Sequence, residues 1–402
     1  MPTISKLQAE AMSLSLRTRA LFRGSLHELW VPPRHQIPFL DGLRAIAVLL
    51  VINEHFNASF TALYGQNLYS RIPFVADGWM GVDLFFVLSG FFIGSQLWKE
   101  LRRENSVSIG RFILRRGLRI WPLYFFMFFA ILLIYWRGAA ANHYGWADLF
   151  FVSNYFGHRI LVGAWSLSTE EQFYIVTPVL LYFFASGRKQ RTIRAVLWTL
   201  LLLIAAMRAA IWIHRTGHFF SHSTALFQDL YSPFHTHCDG LIMGLILSNL
   251  WVSRHERAVA GRWKSYALAA GGLVVFIALR QLQYEVLIFA GLALFFGSLV
   301  WFGLNSGVRW FQSRLFYWLS RLSFGMYLNH AYMRKGVLAM MRHAPFLKPA
   351  SIVSQLSGTV LLTAVSAAVA LVTFCLVEHP FLNLRAKVLG TSREAKAAPL
   401  AR

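Results

Sequence analysis

The chain has 402 residues, 56% of them hydrophobic and only 14% charged, and its mean hydropathy is +0.49. A soluble domain of this length does not carry that composition, so the chain reads as an integral membrane protein. The net charge of +22, from 39 basic and 17 acidic residues, does not indicate nucleic acid, because the basic residues lie in short segments between apolar runs rather than on one contiguous face.

In chain order, residues 1–36 form a basic tail. Leu7, Met12, Leu14, Leu21, Leu26 and Leu29 recur near helical spacing among Arg17, Arg19 and Arg23, which suits an amphipathic helix on the inner leaflet; a disordered basic tail accounts for them equally. No apolar stretch precedes the first span, so no cleaved signal peptide is expected. About ten spans follow, near 38–57, 79–98, 120–137, 165–184, 193–213, 236–251, 265–280, 284–303, 315–340 and 352–377. The run ADLFFVSNYF at 147–156 is too short to span and reads as a re-entrant or interfacial piece. The fold class is an all-α polytopic membrane protein with one bundle at 37–384 and a loose cytoplasmic tail at 385–402. Alternating strand patterns are missing, and no internal repeat suggests a transporter's paired halves.

Alternate connections differ in Lys and Arg. Lys99, Arg102, Arg103, Arg111, Arg115, Arg116 and Arg119 crowd the second, Arg188, Lys189 and Arg191 the fourth, and Arg254, Arg257, Arg262 and Lys264 the sixth. The first connection holds only Arg71, and the third only Arg137 and Arg159. Both termini are therefore expected in the cytoplasm. Arg342 and Lys348, with Arg334 and Lys335 just before them, run against that assignment. The two cysteines, Cys238 and Cys375, imply neither a disulfide framework nor a thiolate metal site.

The first span carries Arg44 and His55. A helix turns by about 1100° between them, close to three full turns, so both side chains lie on one face, roughly 16 Å apart along the axis. That spacing is about half the hydrocarbon thickness of a bilayer. With the N-terminus inside, Arg44 lies near the cytoplasmic surface and His55 toward the outer one. Asp83 and Glu170 enter the membrane from the outer side at about the depth of His55. Ionisable groups are costly in a bilayer, and such groups line a cavity or pair with one another. A carboxylate beside an imidazole is a general-base arrangement. Helix capping explains Asp83 and Glu170 equally well, and a carbonyl-bound interfacial histidine explains His55. Glu171 is turned about 100° from Glu170, so only one of the two is expected to face a shared cavity.

Arg111, Arg115, Arg116 and Arg119 precede the third span at i,i+3 and i,i+4 spacings, so guanidinium groups converge as phosphate binding requires. Topology signalling and lipid headgroups are the alternative reading. Arg208 lies inside an apolar run and needs a partner, while His237 and Asp239 open the sixth span and are candidates for the outer site. Trp79, Trp146 and Trp165 are placed to stack on sugar rings or to mark the membrane interface.

The ordered strings IPFLDGLRAIAVLLVINEHF, GVDLFFVLSGFFI, RFILRRGLRIWPLY, WSLSTEEQFY, SFGMYLNH and VEHPF resemble the acyltransferase 3 family, over about residues 37–384. That resemblance implies a ten-helix core that transfers an acyl group, commonly acetyl, from cytoplasmic acyl-CoA to a hydroxyl acceptor, usually a sugar across the membrane. The family's span-one Arg and His fall on Arg44 and His55, its FFVLSG stretch on Phe85 to Gly90 with Ser89, and its RxxR on Arg116 and Arg119. Its WSL-E-FY motif falls on Trp165, Ser166, Leu167, Glu170, Phe173 and Tyr174. Departures occur at His237 and His379, where many members have Arg.

The expectation is a multi-pass acyltransferase of the bacterial inner membrane. Arg44, Arg116 and Arg119 bind the phosphates of the acyl-CoA donor, acetyl-CoA in the simplest case, and His55 acts as base with Asp83 or Glu170 orienting it. Arg115, Ser89, Gly90, Trp165, Tyr174, Arg208, His237 and Asp239 are further candidates. No tightly bound cofactor, metal or nucleic acid is expected; the partners are acyl-CoA, a carbohydrate or other hydroxyl acceptor, membrane lipids and, because the chain ends soon after its last span, a separate extracytoplasmic transfer protein. The alternative is a transporter or flippase for a glycan or lipid-linked intermediate.

Overall fold

The computed structural model describes residues 24–26, 28–31, 37–65, 75–135, 145–156, 159–185, 187–218, 229–253, 262–281, 285–306, 311–343 and 351–390. The expected amphipathic segment lies outside these residues as far as Arg23, as do Arg71, Arg137, Arg254, Arg257 and Lys348.

The first apolar run forms α1, Pro38–Tyr64. Pro38 stands in its first turn, where a missing N–H costs nothing, and Gly65 closes it at φ 74° by donating its N–H to Thr61 O at 2.8 Å. A 3-10 turn, Gly78–Met80, leads into α2, Gly81–Glu104. Helix α3 is Ile109–Ile134 and starts well before the expected 120, so the arginines at 111, 115, 116 and 119 ride on the helix itself.

The segment read as re-entrant or interfacial folds as the short helix α4, Gly145–Leu149, and a 3-10 turn, Ser153–Tyr155. Asp148 fastens this piece, because its Oδ2 accepts the N–H groups of Ile160 at 2.6 Å and Leu161 at 3.2 Å. Then come α5 Ala164–Phe184, α6 Gln190–Thr216, α7 Asp239–Ser253, α8 Arg262–Gln281 and α9 Glu285–Ser306. Helix α10, Arg314–Arg342, is capped by Ser313, and α11, Ile352–Thr373, by a Ser351/Ser354 capping box. A π-helical turn, Phe374–Glu378, joins α11 to α12, His379–Val388. The polar tail placed from 385 onward is thus still helical at Arg385.

No strand occurs among the described residues. Seven helical stretches among them are long and apolar enough to cross a bilayer. Helices α5 and α10 each carry several buried polar residues, and α7 is an apolar helix of 15 residues. The chain is an all-α polytopic membrane protein.

The bundle is held by close backbone approach. Helix α2 lies against α7. A Cβ on Gly90 would stand 2.0 Å from Leu241 O, and one on Gly244 would stand 2.2 Å from Val87 O. Only hydrogen fits at either site, as small-residue packing between membrane helices requires. Helix α10 packs between α1 and α11, which puts the polar face of α1 against α10.

Candidate active site

Both markers of α1 face α10. Arg44 Nε donates to Ser323 Oγ at 2.9 Å, and the His55 ring meets the His330 ring at a centroid distance of 4.8 Å. The single face inferred from the eleven-residue spacing is thus the face that α10 covers.

Three cavities share lining residues along this seam. A mouth of about 670 Å³ opens between α2, α3 and α12 and includes Arg111, Arg115, Arg119 and Arg385. Through Gln96 and Arg119 it adjoins a deeper cavity of about 250 Å³, lined by Arg44, Arg116, Arg119 and Arg321 together with Asp41, Glu170 and Glu378. Arg44, Ser89 and Glu170 then adjoin a narrow cavity of about 50 Å³ that ends at Phe85, Ser166 and Tyr327.

Arg116 is 9% exposed, and its Nε and Nη2 have no hydrogen-bond partner among the described residues. Its guanidinium rests 5.8 Å from the Phe112 and Tyr174 ring centroids. A buried cation with two idle donors on a cavity wall is arranged to receive an anion. Glu170 accepts from Ser89 Oγ at 3.1 Å and from the Tyr174 hydroxyl, which ties the FFVLSG and WSL-E-FY strings together. Glu171 turns away and accepts from Trp121 Nε1 at 3.1 Å. Ser166 and Tyr327, both on the wall of the narrow cavity, are 2.5 Å apart.

His55 Nδ1 lies 3.0 Å from Val51 O. A carbonyl only accepts, so Nδ1 carries the proton and Nε2 presents a lone pair. The ring is therefore oriented by its own helix, and the expectation that Asp83 or Glu170 does so is corrected here. Asp83 Oδ1 lies 2.7 Å from His237 Nε2, and His237 Nδ1 donates to Tyr231 O at 2.6 Å. Asp83 is in the first turn of α2 and meets the N-terminal end of α7, whereas Glu170 lies farther along α5 and lines the cavity of Arg44. Equal depth did not mean adjacency.

Arg208 and Asp239 form a buried bidentate pair at 2.6 and 2.9 Å, 0% and 1% exposed. Arg208 also donates to Thr236 O at 2.7 Å and Val286 O at 3.1 Å, so it ties α6, α7 and α9 together instead of joining the cavities. Trp165 stacks on His237 at 6.0 Å and packs on Tyr231 at 4.6 Å, while Trp146 is exposed. Gly90 belongs to the α2/α7 contact.

Sequence reading missed the contribution of α10 and α12. Tyr327 and His330 stand in the SFGMYLNH string and Glu378 in VEHPF, yet neither string alone says which helix it will face. His330 is 1% exposed; its Nδ1 donates to Tyr327 O at 2.7 Å, and its Nε2 has no partner among the described residues.

A family profile described as acyltransferase domain, acyltransferase 3, matches residues 37–377. The chain belongs to the acyltransferase 3 family. Among similar acyltransferase relatives, the O-acetyltransferase OatA of Staphylococcus aureus is 30% identical over 236 residues, covering 54% of this chain and 35% of that protein. A putative O-acetyltransferase of the same species is 28% identical over 274 residues, 62% of this chain and 41% of its own. The peptidoglycan O-acetyltransferase OatA of Listeria monocytogenes is 26% identical over 335 residues, 74% of this chain and 49% of its own. The match thus spans between about a third and a half of these relatives. No solved structure matches the chain.

Proposed function

We propose that this acyltransferase 3 chain is a membrane O-acyltransferase, moving an acyl group, acetyl in the simplest case, from acyl-CoA to a hydroxyl of a carbohydrate acceptor. The observation that carries the reading is the run of adjoining cavities from the arginines of α3 to Ser166 and Tyr327, beside the His330–His55 pair. The names of the relatives, O-acetyltransferases and one of them a peptidoglycan O-acetyltransferase, favour acetyl and a cell-wall glycan.

In this reading the arginine-rich end faces the cytoplasm of a bacterial cell whose inner membrane holds the chain, as the Lys/Arg asymmetry of the connections indicates. The donor's phosphates dock on Arg44, Arg116 and Arg119, and the pantetheine arm runs past Ser89 and Glu170 toward Tyr327. The acceptor enters from the opposite end. His55 Nε2 takes the hydroxyl proton as the acceptor oxygen attacks the thioester carbonyl. The tetrahedral intermediate expels the CoA sulfur, which recovers the proton from the imidazolium; the C–S bond breaks as the ester C–O bond forms. Donor and acceptor are substrates, and no bound cofactor is invoked.

The test is reconstitution in proteoliposomes enclosing a cell-wall glycan, with isotopically labelled acetyl-CoA added outside. Labelled ester on the enclosed glycan supports the reading. Movement of glycan across the membrane without acetyl-CoA, and with no ester formed, would instead identify a flippase.

A further inference from the structure

In the half of the bundle that holds His55, four arginines among the described residues are buried or half-buried: Arg159, Arg208, Arg280 and Arg334. Three of them have a carboxylate to face. Arg208 pairs with Asp239 at 2.6 Å, Arg280 pairs with Asp77 at 2.8 Å, and Arg159 is attracted by Asp148. Arg334 makes no ion pair among the described residues. Its Nη1 donates instead to the backbone O of His55 at 3.1 Å. Glu54, the carboxylate next to His55 in sequence, is engaged by the N–H groups of Gly78 and Trp79. Lys335 and Arg342, which follow on the same helix, are exposed.

Arg334 comes four residues after His330 on α10, so it lies one turn, about 6 Å, farther along the face that covers His55. It is close enough to act electrostatically on both imidazoles. Ionisable groups kept inside a membrane bundle pair with one another or mark a substrate path, and Arg334 has no pair. Topology signalling does not account for it, because it stands at the end where the Lys/Arg asymmetry disfavours cations. The proposed reaction raises the cost further. His55 becomes an imidazolium when it takes the acceptor's proton, and a cation one turn away opposes that charge. Both penalties are relieved when the acceptor brings an oxyanion of its own to Arg334. A carboxylate suits the planar guanidinium, which grips it through two parallel N–H···O bonds and so fixes its orientation.

We propose that Arg334 is a specificity residue for the acceptor, binding a carboxylate of an acidic glycan whose hydroxyl is presented to His55. This rests on the acyl-transfer reading above and adds to it the charge of the acceptor. The headgroup of an anionic lipid is a second source of an oxyanion. The measurement is therefore made in nanodiscs, which leave both faces of the protein open, of phosphatidylcholine alone and again with phosphatidylglycerol.

The experiment is initial-rate kinetics of the purified full chain with labelled acetyl-CoA and two acceptors. One is cell-wall glycan strands stripped of peptide so that their carboxylates are free; the other is the same strands with each carboxylate converted to its methyl amide. In phosphatidylcholine the glycan KM of wild type is expected to be about tenfold or more lower for the carboxylate strands, as charge-assisted hydrogen bonds imply. Arg334→Ala should lose most of that preference by raising the KM for the carboxylate strands, with the acetyl-CoA KM unmoved, and Arg334→Lys should recover part of it. Equal KM values for the two strands with wild type would overturn the assignment while leaving acyl transfer intact. A fall in kcat on both strands alike with Arg334→Ala would mean that Arg334 only holds the His55 backbone, and would overturn it too. A lipid headgroup on Arg334 would leave neither protein with a preference in phosphatidylcholine and make only wild type respond to phosphatidylglycerol, again overturning it. No ester on either acceptor would sink the transfer reading itself.

Discussion

His55 of α1 stands edge-on to His330 of α10, ring centroids 4.8 Å apart and planes at 71°. Each ring donates Nδ1–H to a carbonyl of its own helix, Val51 O for one and Tyr327 O for the other. Both rings thus present Nε2 as a lone pair, and the Tyr327 whose carbonyl holds His330 also lines the narrow cavity. Under the proposed transfer, His330 is a positioning residue for His55. His330→Ala should lower kcat roughly tenfold or more by loosening the His55 ring, with little change in donor KM. His330→Phe, which keeps an aromatic edge against His55, should retain more activity than the alanine variant; equal kcat for both would show that ring packing is irrelevant.

Arg116 and Arg119 bear on donor binding. Arg116→Ala and Arg119→Ala should each raise the acyl-CoA KM by about tenfold, and the double variant by more, with kcat changed less than KM, because a phosphate contact is made equally in ground and transition states. Initial-rate kinetics on purified protein decide it. A fall in kcat at constant KM would remove these residues from the phosphate site.

Arg208 and Asp239 should govern stability instead. Replacing either alone strands a buried charge and should cost about 3–5 kcal/mol, whereas Arg208→Met with Asp239→Leu should cost less than either single change. Thermal midpoints in detergent would show the order. A double variant as unstable as the sum of the singles would mean the two side chains do not act as a pair.

Gly90→Val should fail to give a monodisperse membrane protein, because its Cβ alone would lie 2.0 Å from Leu241 O. Gly110→Val is the control, since no atom lies within 4 Å of a Cβ there. Size-exclusion profiles of the two variants should differ sharply; similar profiles would place the α2/α7 contact wrongly.

Much of this was legible before the fold. Of the ten spans expected, seven helical stretches among the described residues are long and apolar enough to cross a bilayer, because such a run has few other uses, although α3 starts at Ile109 rather than near 120. The 3.6-residue period put Arg44 and His55 on one face, and α10 does cover that face. Period and depth say nothing about neighbours, however. Asp83 was matched to His55 by depth, while its partner His237 lies 154 positions later in sequence. Glu170 proved to belong with Arg44 and Arg116. Glu378 and Arg385 line the cavities because the helix begun at Ile352 continues through a π-helical turn to Val388, past the apolar run that hydropathy ended at 377. Arg208 was expected to need a partner, and Asp239 supplies it.

The central claim is acyl transfer dependent on His55. Its most direct test is mass spectrometry of glycans from cells expressing wild type or His55→Ala and fed an isotopically labelled acyl precursor, with membrane expression of both confirmed. A labelled ester present with wild type and absent with His55→Ala is the predicted result, and it would identify the acyl group and the acceptor together. Equal labelling with the two proteins would contradict the role of His55, and no label with either would contradict acyl transfer.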